Sequence, residues 1–275
     1  MDLIKSRSNQ RVKLARSLRL RKSRHESGLF LVEGIRHTGE AYEAGAAIEY
    51  IIFSPDLLRS EFALNLIDQA EKSGLACYPT ASEVFASITE KENPQGICAV
   101  VQQPDLSLSR LTPHNFPWGA AVISPQDPGN IGTILRTIDA VGAGGLVLID
   151  SSADPFHPTG VRASMGMVFW YSIAMCSFNE FASWASENNY SIFGSSAHSG
   201  IDIQNYDNIN PPFILLLGDE REGLGDEHKN ICEEVFSLRM QGRASSLNLG
   251  VAAGILLYQI RDKLSPKMIQ ENIQG

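Results

Sequence analysis

The stretch from Asp127 to Thr137, DPGNIGTILRT, follows the apolar run AAVIS and opens a helical pattern. Two glycines at a strand-to-helix corner suggest a phosphate cradle, because backbone N–H groups and the helix dipole converge there. The known cradles do not fit. A Walker loop needs a Gly-Lys pair ahead of Ser or Thr, since the lysine reaches the outer phosphates, and the chain contains no Gly-Lys dipeptide. The dinucleotide fingerprint needs GxGxxG, and PGNIGT has the right position with the wrong spacing. A third glycine cluster, DAVGAGG, follows a helical pattern and precedes a strand, so it reads as a helix C-cap. What remains at the first corner is an amide, Asn130, and a cation, Arg136.

Two later loops carry polar residues in a similar setting. LLLGDEREGLG holds Gly218, Glu220 and Gly223, and LRMQGRASSLNLG holds Met240, Gly242, Ser246, Leu247 and Asn248. Taken singly, Arg136 reads as a surface charge, Glu220 as a carboxylate favoured at a helix start, and Ser245 or Ser246 as an N-cap. Asn248 interrupts a strongly apolar helix start. An asparagine buried there requires hydrogen-bond partners, which marks a site.

The elements that must position these loops alternate along the chain. In the first hundred residues, NQRVKLARSLRLRKSRH, RHTGEAYEAG and SEFALNLIDQAEKSG read as helices, and GLFLVEG, IEYIIFS and QGICAVVQQP as strands. QQPDLSLSRLTPHNFPWG has no period and is taken as the linker. Beyond it, strands AAVIS, GGLVLID, YSIAMC, YSIFGSS, PFILLLG and VFSLRM alternate with helical TGVRASMGMVFW, NEFASWASENN, DEHKNICEEV and a long final SLNLGVAAGILLYQIRDKL. Such alternation indicates crossovers and a mostly parallel sheet. Ligands on such sheets bind beyond the carboxyl ends of strands, which is where all three polar loops fall. The expected division is residues 1–102, a linker at 103–117, and residues 118–275.

Composition narrows the class. The 275 residues are 43% hydrophobic and 20% charged, as in a soluble globular protein, and no apolar run reaches transmembrane length. The start lacks the apolar core of a secretory signal. Four scattered cysteines make no zinc or disulfide pattern, so a cytoplasmic location without membrane or metal is expected. Net charge is −8, yet residues 1–25 hold nine Lys and Arg against one acid, Asp2. A basic arm on an acidic body is a nucleic-acid footprint that whole-chain charge conceals, although a solvated terminal helix has the same composition.

Together the three loops resemble the SpoU/TrmH-type RNA 2′-O-ribose methyltransferases of the SPOUT superfamily. Asn130, Gly132 and Arg136 match the first motif; Gly218, Glu220 and Gly223 the second; Met240, Gly242, Ser246, Leu247 and Asn248 the third. Ser164 and Gly166 look like the family's Ser-x-Gly segment. SRSNQRVK and GLFLVEGIRH resemble the family's ribosomal-protein-like RNA-binding extension. The resemblance implies an α/β chain: a C-terminal SPOUT domain with a mostly parallel sheet and a deep trefoil knot, behind a smaller N-terminal α/β RNA-binding domain. It also implies a homodimer with the active site near the subunit interface. S-adenosylmethionine would be held around Gly218, Leu238, Met240 and Leu247. Arg136 would activate the ribose hydroxyl, positioned with Asn130, Glu220, Ser246 and Asn248. Arg7, Arg11, Lys13, Arg16, Arg19 and Arg21 would contact RNA phosphates, with Arg36, His37 and Arg162 as additions. Ribosomal RNA is favoured over transfer RNA because of the N-terminal extension. Two positions depart from the family: Leu238-Arg239 stands where many relatives have Ile-Pro, and Ser245 where they often have an acid. A non-catalytic RNA-binding protein of this fold and a nucleotide-dependent oxidoreductase are the rival classes.

Overall fold

The computed structural model describes residues 2–89, 93–196, 200–206, 209–220, 222–238, 240–243 and 245–264. The chain divides into two compact units, Met1–Pro104 with Asp154–Trp170, and Asp105–Ala153 with Tyr171–Gly275.

The first unit runs α1 (Gln10–Ser17), α2 (Arg21–Ser27), β1 (Leu29–Glu33), α3 (Ile35–Glu43), β2 (Ile48–Phe53), α4 (Glu61–Lys72), β3 (Cys77–Pro79), α5 (Ser82–Phe85) and β4 (Ile97–Gln102). Its sheet has the order β1-β4-β2-β3; β4 is antiparallel to both neighbours and β3 is parallel to β2. Val12, Ala15 and Leu18 pack with Leu31, Tyr50, Ile52, Phe85 and Val100 to form its core.

The single basic helix expected over residues 9–25 is broken in two. Leu18 is fully buried while Leu20 is 65% exposed, so the apolar residues cannot share one helical face. Leu20 is extended and starts α2. Arg24 secures the corner, its Nη1 donating to the carbonyls of Leu18 and Arg19, both at 2.8 Å.

The second unit contains β5 (Trp118–Ile123), α6 (Pro128–Val141) and β6 (Gly145–Ile149). After α7 (Pro158–Ala163), which belongs to the first unit, come β7 (Ser172–Cys176), α8 (Phe178–Glu187), β8 (Ser191–Ser196), β9 (Ile201–Asp202), β10 (Phe213–Leu217), α9 (Asp226–Lys229), β11 (Glu234–Ser237) and α10 (Leu249–Arg261). The sheet order is β7-β6-β5-β10-β8-β11-β9, with every described pairing parallel. A mostly parallel sheet in an α/β chain is therefore what the sequence pattern required. Gly142 is left-handed (φ 72°) and closes α6, so the DAVGAGG cluster caps a helix.

Two segments sit differently from the sequence division. The expected linker, 103–117, contributes buried Leu108, Leu111 and Phe116 to the core of the second unit. Trp184 donates to the Leu111 carbonyl (3.1 Å) and Tyr190 to that of Phe116 (2.7 Å). Residues 154–170, counted with the C-terminal domain by position, belong to the first unit. Phe30 meets Phe156 at 4.6 Å between ring centres, and Trp170 Nε1 donates to Glu40 at 2.9 Å. Arg24, 1% exposed, pairs with Asp154 at 2.6 Å. It is thus a buried structural cation, and losing either partner of such a pair costs about 3–5 kcal/mol. Ser164 and Gly166 shape the turn after α7: the Ser164 hydroxyl donates to Val161, and a Cβ on Gly166 would meet Glu40 at 2.5 Å.

Helices α6 and α10 pack closely against each other. Gly250 lies against Thr133, where an added Cβ would meet the threonine methyl at 3.0 Å and crowd the two helices, and Gly254 lies beside Thr137 with room for ordinary contact. That contact fixes the start of α10 beside the start of α6.

Candidate active site

Three strand ends build the site. After β5, Asp127 caps α6 by accepting from Gly129 N (2.8 Å), and Pro128 occupies the first turn. The cap orients Asn130 inward, 8% exposed. After β10, the chain turns back at once: Asp219 and Gly223 exchange backbone bonds of 3.2 and 2.9 Å. Gly223 needs its φ of 71°, and a Cβ on Gly218 would fall 2.2 Å from the Gly223 carbonyl carbon. The Gly-x-Glu-x-x-Gly spacing is thereby explained, with one glycine set by clearance and the other by handedness. After β11, Asn248 caps α10, its Oδ1 accepting from Gly250 N (2.9 Å) and Val251 N (3.3 Å).

These three loops meet through side chains. Asn130 Nδ2 donates to Glu220 Oε1 at 2.7 Å, and Asn248 Nδ2 donates to Asn130 Oδ1 at 2.9 Å. Glu220 Oε2 also accepts from Gln126 N at 3.3 Å. Every member is held by a second bond, so the Glu220 carboxylate has one orientation. Asn248 is exposed rather than buried, and its interruption of the apolar pattern is explained by capping and by Asn130.

Beside the carboxylate is a cavity of about 320 Å³. Gly218, Leu238, Met240 and Leu247, the residues expected at a donor site, all line it, as do Glu220 and Ser246. Asp219 and Glu222 add negative charge, while Leu217, Leu249 and Leu256 supply apolar wall. Ser195 and Ser196, at the end of β8, also line it and were missed by sequence reasoning. YSIFGSS ends as a parallel strand, as do the strands before the three polar loops, so the same rule applies to its end. Cys232 packs against the core of the second unit, its Sγ donating to the His228 carbonyl; burial pushes its thiol up to about 11, which keeps it protonated.

Arg136 is not brought to the cavity. It is exposed on α6, about 9 Å along the helix axis from Asn130. Asp139, one turn on, accepts from the Tyr171 hydroxyl at 2.8 Å; burial and this carboxylate push Tyr171 up to about 12. Of the six expected RNA contacts in the first unit, Arg7, Arg11, Lys13 and Arg21 are exposed, and Arg16 and Arg19 half-buried. Arg239, one of the two sequence departures, lies outside the described residues. Among the described residues no cluster of His, Cys, Asp or Glu is arranged to hold a metal ion, and no helix is long and apolar enough to cross a membrane.

Residues 120–258 match the SpoU rRNA Methylase family, and residues 9–99 match the MRM3-like substrate binding domain. The chain belongs to the SpoU rRNA Methylase family. It is 31% identical over 253 residues to the 23S rRNA (uridine(2479)-2'-O)-methyltransferase of Streptomyces viridochromogenes, covering 89% of this chain and 87% of that protein. It is 28% identical to the 23S rRNA (guanosine(2553)-2'-O)-methyltransferase RlmP of Bacillus subtilis, covering 95% of this chain and 100% of that one. Among solved structures, an AdoMet-bound rRNA methyltransferase from Sinorhizobium meliloti superposes with a TM-score of 0.86 at 30% identity, over 96% of this chain and 98% of that one.

Proposed function

We propose that this SpoU-family protein transfers the methyl group of S-adenosylmethionine to a ribose 2′-hydroxyl of ribosomal RNA. The observation that carries the assignment is the Glu220–Asn130–Asn248 chain, which joins the three motif-bearing loops beside the cavity. Relatives along nearly the whole chain are 23S rRNA 2′-O-methyltransferases.

The cavity's chemistry fits the donor. Leucine side chains offer an apolar wall for a purine, and Asp219 and Glu222 suit a ligand bearing a sulfonium and an ammonium. When bound, S-adenosylmethionine supplies an electrophilic methyl group. Glu220 and Ser246 orient the acceptor ribose, while Asn130 and Asn248 hold Glu220 in place. Arg136 grips the adjoining phosphate and stabilises the hydroxyl oxygen as its proton leaves. A guanidinium is permanently protonated, so it works as a cation and not as a base. The basic residues Arg7, Arg11, Lys13, Arg16, Arg19 and Arg21 give salt-dependent affinity for RNA. RNA is selected over DNA because the acceptor is the 2′-hydroxyl itself.

A homodimer is supported by the outer face of α10, where Val251, Ile255 and Tyr258 are 50%, 39% and 45% exposed. A second copy covering this face, as a cytoplasmic homodimer, explains apolar residues that the single chain leaves in water. It also explains the position of Arg136, which serves the cavity of the other copy. The trefoil knot implied by the family belongs to the same proposal, as does the division of labour between an RNA-holding N-terminal unit and a methyl-transferring C-terminal one.

Calorimetric titration tests the donor site. The protein binds S-adenosylmethionine, and Gly218→Ala abolishes that binding because the added Cβ forces the Gly218–Gly223 turn open. Equal affinity in the two proteins contradicts the assignment.

A further inference from the structure

The N-terminal unit has a second recess. Ile4 forms a parallel bridge with Thr80, its N–H donating to Pro79 (2.8 Å) and its carbonyl accepting from Ala81 (2.9 Å). This pairing pins the start of the chain beside β3. Lys5, Asn9, Arg11 and Tyr78 then line a cavity of about 360 Å³, within the ~300–1,000 Å³ range of small-ligand pockets.

One wall is a braced cation. The Arg11 guanidinium carbon stands 4.2 Å above the Tyr78 ring. Tyr50 fixes both partners, meeting the Tyr78 ring edge-on at 5.8 Å and donating its hydroxyl to the Arg11 carbonyl at 3.1 Å. The guanidinium is thus backed by an aromatic ring, while the residue remains exposed to solvent. Lys5 brings a second positive charge to the rim, against the single acid Asp2.

A planar cation with a lysine beside it complements a flat ring joined to a phosphate. Nucleobases stack on guanidinium planes, and lysine pairs with the backbone charge. In a duplex both faces of each base are already stacked, so such a platform selects a nucleotide that is unpaired. We infer that the Lys5–Arg11–Tyr78 recess holds one unpaired nucleotide of the RNA substrate and directs the protein to a loop or bulge rather than a continuous helix. The inference rests on the RNA substrate proposed above and adds Lys5 and Tyr78 to the residues that recognise it.

The test compares binding of the full-length protein to a short oligouridylate and to an RNA duplex of equal length, at one salt concentration. Arg11→Lys keeps the charge and loses the plane. It is expected to weaken oligouridylate binding about tenfold, the loss of one stacked base, with duplex binding unchanged. Tyr78→Phe retains the ring and is expected to bind as the unaltered protein does. The inference is overturned if the unaltered protein shows no preference for the single strand. It is equally overturned if Arg11→Lys binds both probes normally or loses both to the same extent. Because Arg11 is exposed, its substitution leaves the fold intact, and matching thermal melts verify this. Failure of the methyltransferase assignment has a different signature: S-adenosylmethionine does not bind, whatever the RNA preference.

Discussion

Arg136→Ala is expected to bind S-adenosylmethionine normally and to lose methyl transfer by about 10²–10³-fold, the usual effect of removing one group that stabilises a developing oxyanion. The two halves of this expectation have separate structural grounds. Donor binding survives because Arg136 is outside the cavity lining, and because its exposed side chain packs into no core. Transfer fails because a ribose hydroxyl is a poor nucleophile until its proton leaves, and a nearby cation lowers the energy of the oxygen that remains. Arg136→Lys keeps the charge but gives up the planar fork that grips phosphate in two places, so it recovers only part of the activity. Titration calorimetry and single-turnover transfer measure the two properties on the same preparation. Near-normal turnover by Arg136→Ala contradicts the role given to this residue.

Mixing two dead variants is expected to restore activity. Arg136→Ala and Glu220→Gln each remove one side chain of a site that, in the proposed homodimer, draws Arg136 from one copy and Glu220 from the other. Each variant alone forms dimers in which both sites are broken. In a mixed dimer one site keeps both residues and the other has neither. Random exchange of subunits between equal amounts therefore gives about a quarter of the unaltered activity, by the two-fold symmetry of such assemblies. If Arg136 served the cavity of its own chain, no mixed dimer would contain an intact site and the mixture would stay inactive. Glu220→Gln is chosen because it removes the charge while keeping an oxygen to accept from Asn130, giving up only the longer bond from Gln126 N.

Much of the site was legible because its chemistry sits where parallel strands end. Asn130, Glu220 and Asn248 are far apart in sequence, yet each follows a strand of the same sheet, and the structure joins them within hydrogen-bond distance. Ser195 and Ser196 follow the same rule after β8 and would have been found by applying it to every strand. Membership of the two compact units was not legible. Residues 154–170 join the first unit through Phe30–Phe156 and Arg24–Asp154, contacts spanning more than a hundred residues that no local pattern announces. Residues 103–117 looked like linker because Pro, Ser and Asp dilute the buried Leu108, Leu111 and Phe116. Arg24 looked like one more solvated cation in a basic run, since charge composition says nothing about which member turns inward. The strands β3 and β9, of three and two residues, are too short to show a period at all. Tyr78 lies on one of these, which is why its partnership with Arg11 emerged only from the structure.

The most direct test of the central claim follows the methyl group itself. Ribosomal RNA from cells lacking this protein is incubated with the purified chain and S-adenosylmethionine labelled in the methyl group, then hydrolysed in alkali. Cleavage by alkali requires a free 2′-hydroxyl, so a ribose methylated there survives within an uncut dinucleotide. The account predicts label in one alkali-resistant dinucleotide, absent when Arg136→Ala replaces the unaltered protein. Label released in mononucleotides, or no label transferred to RNA, would contradict it.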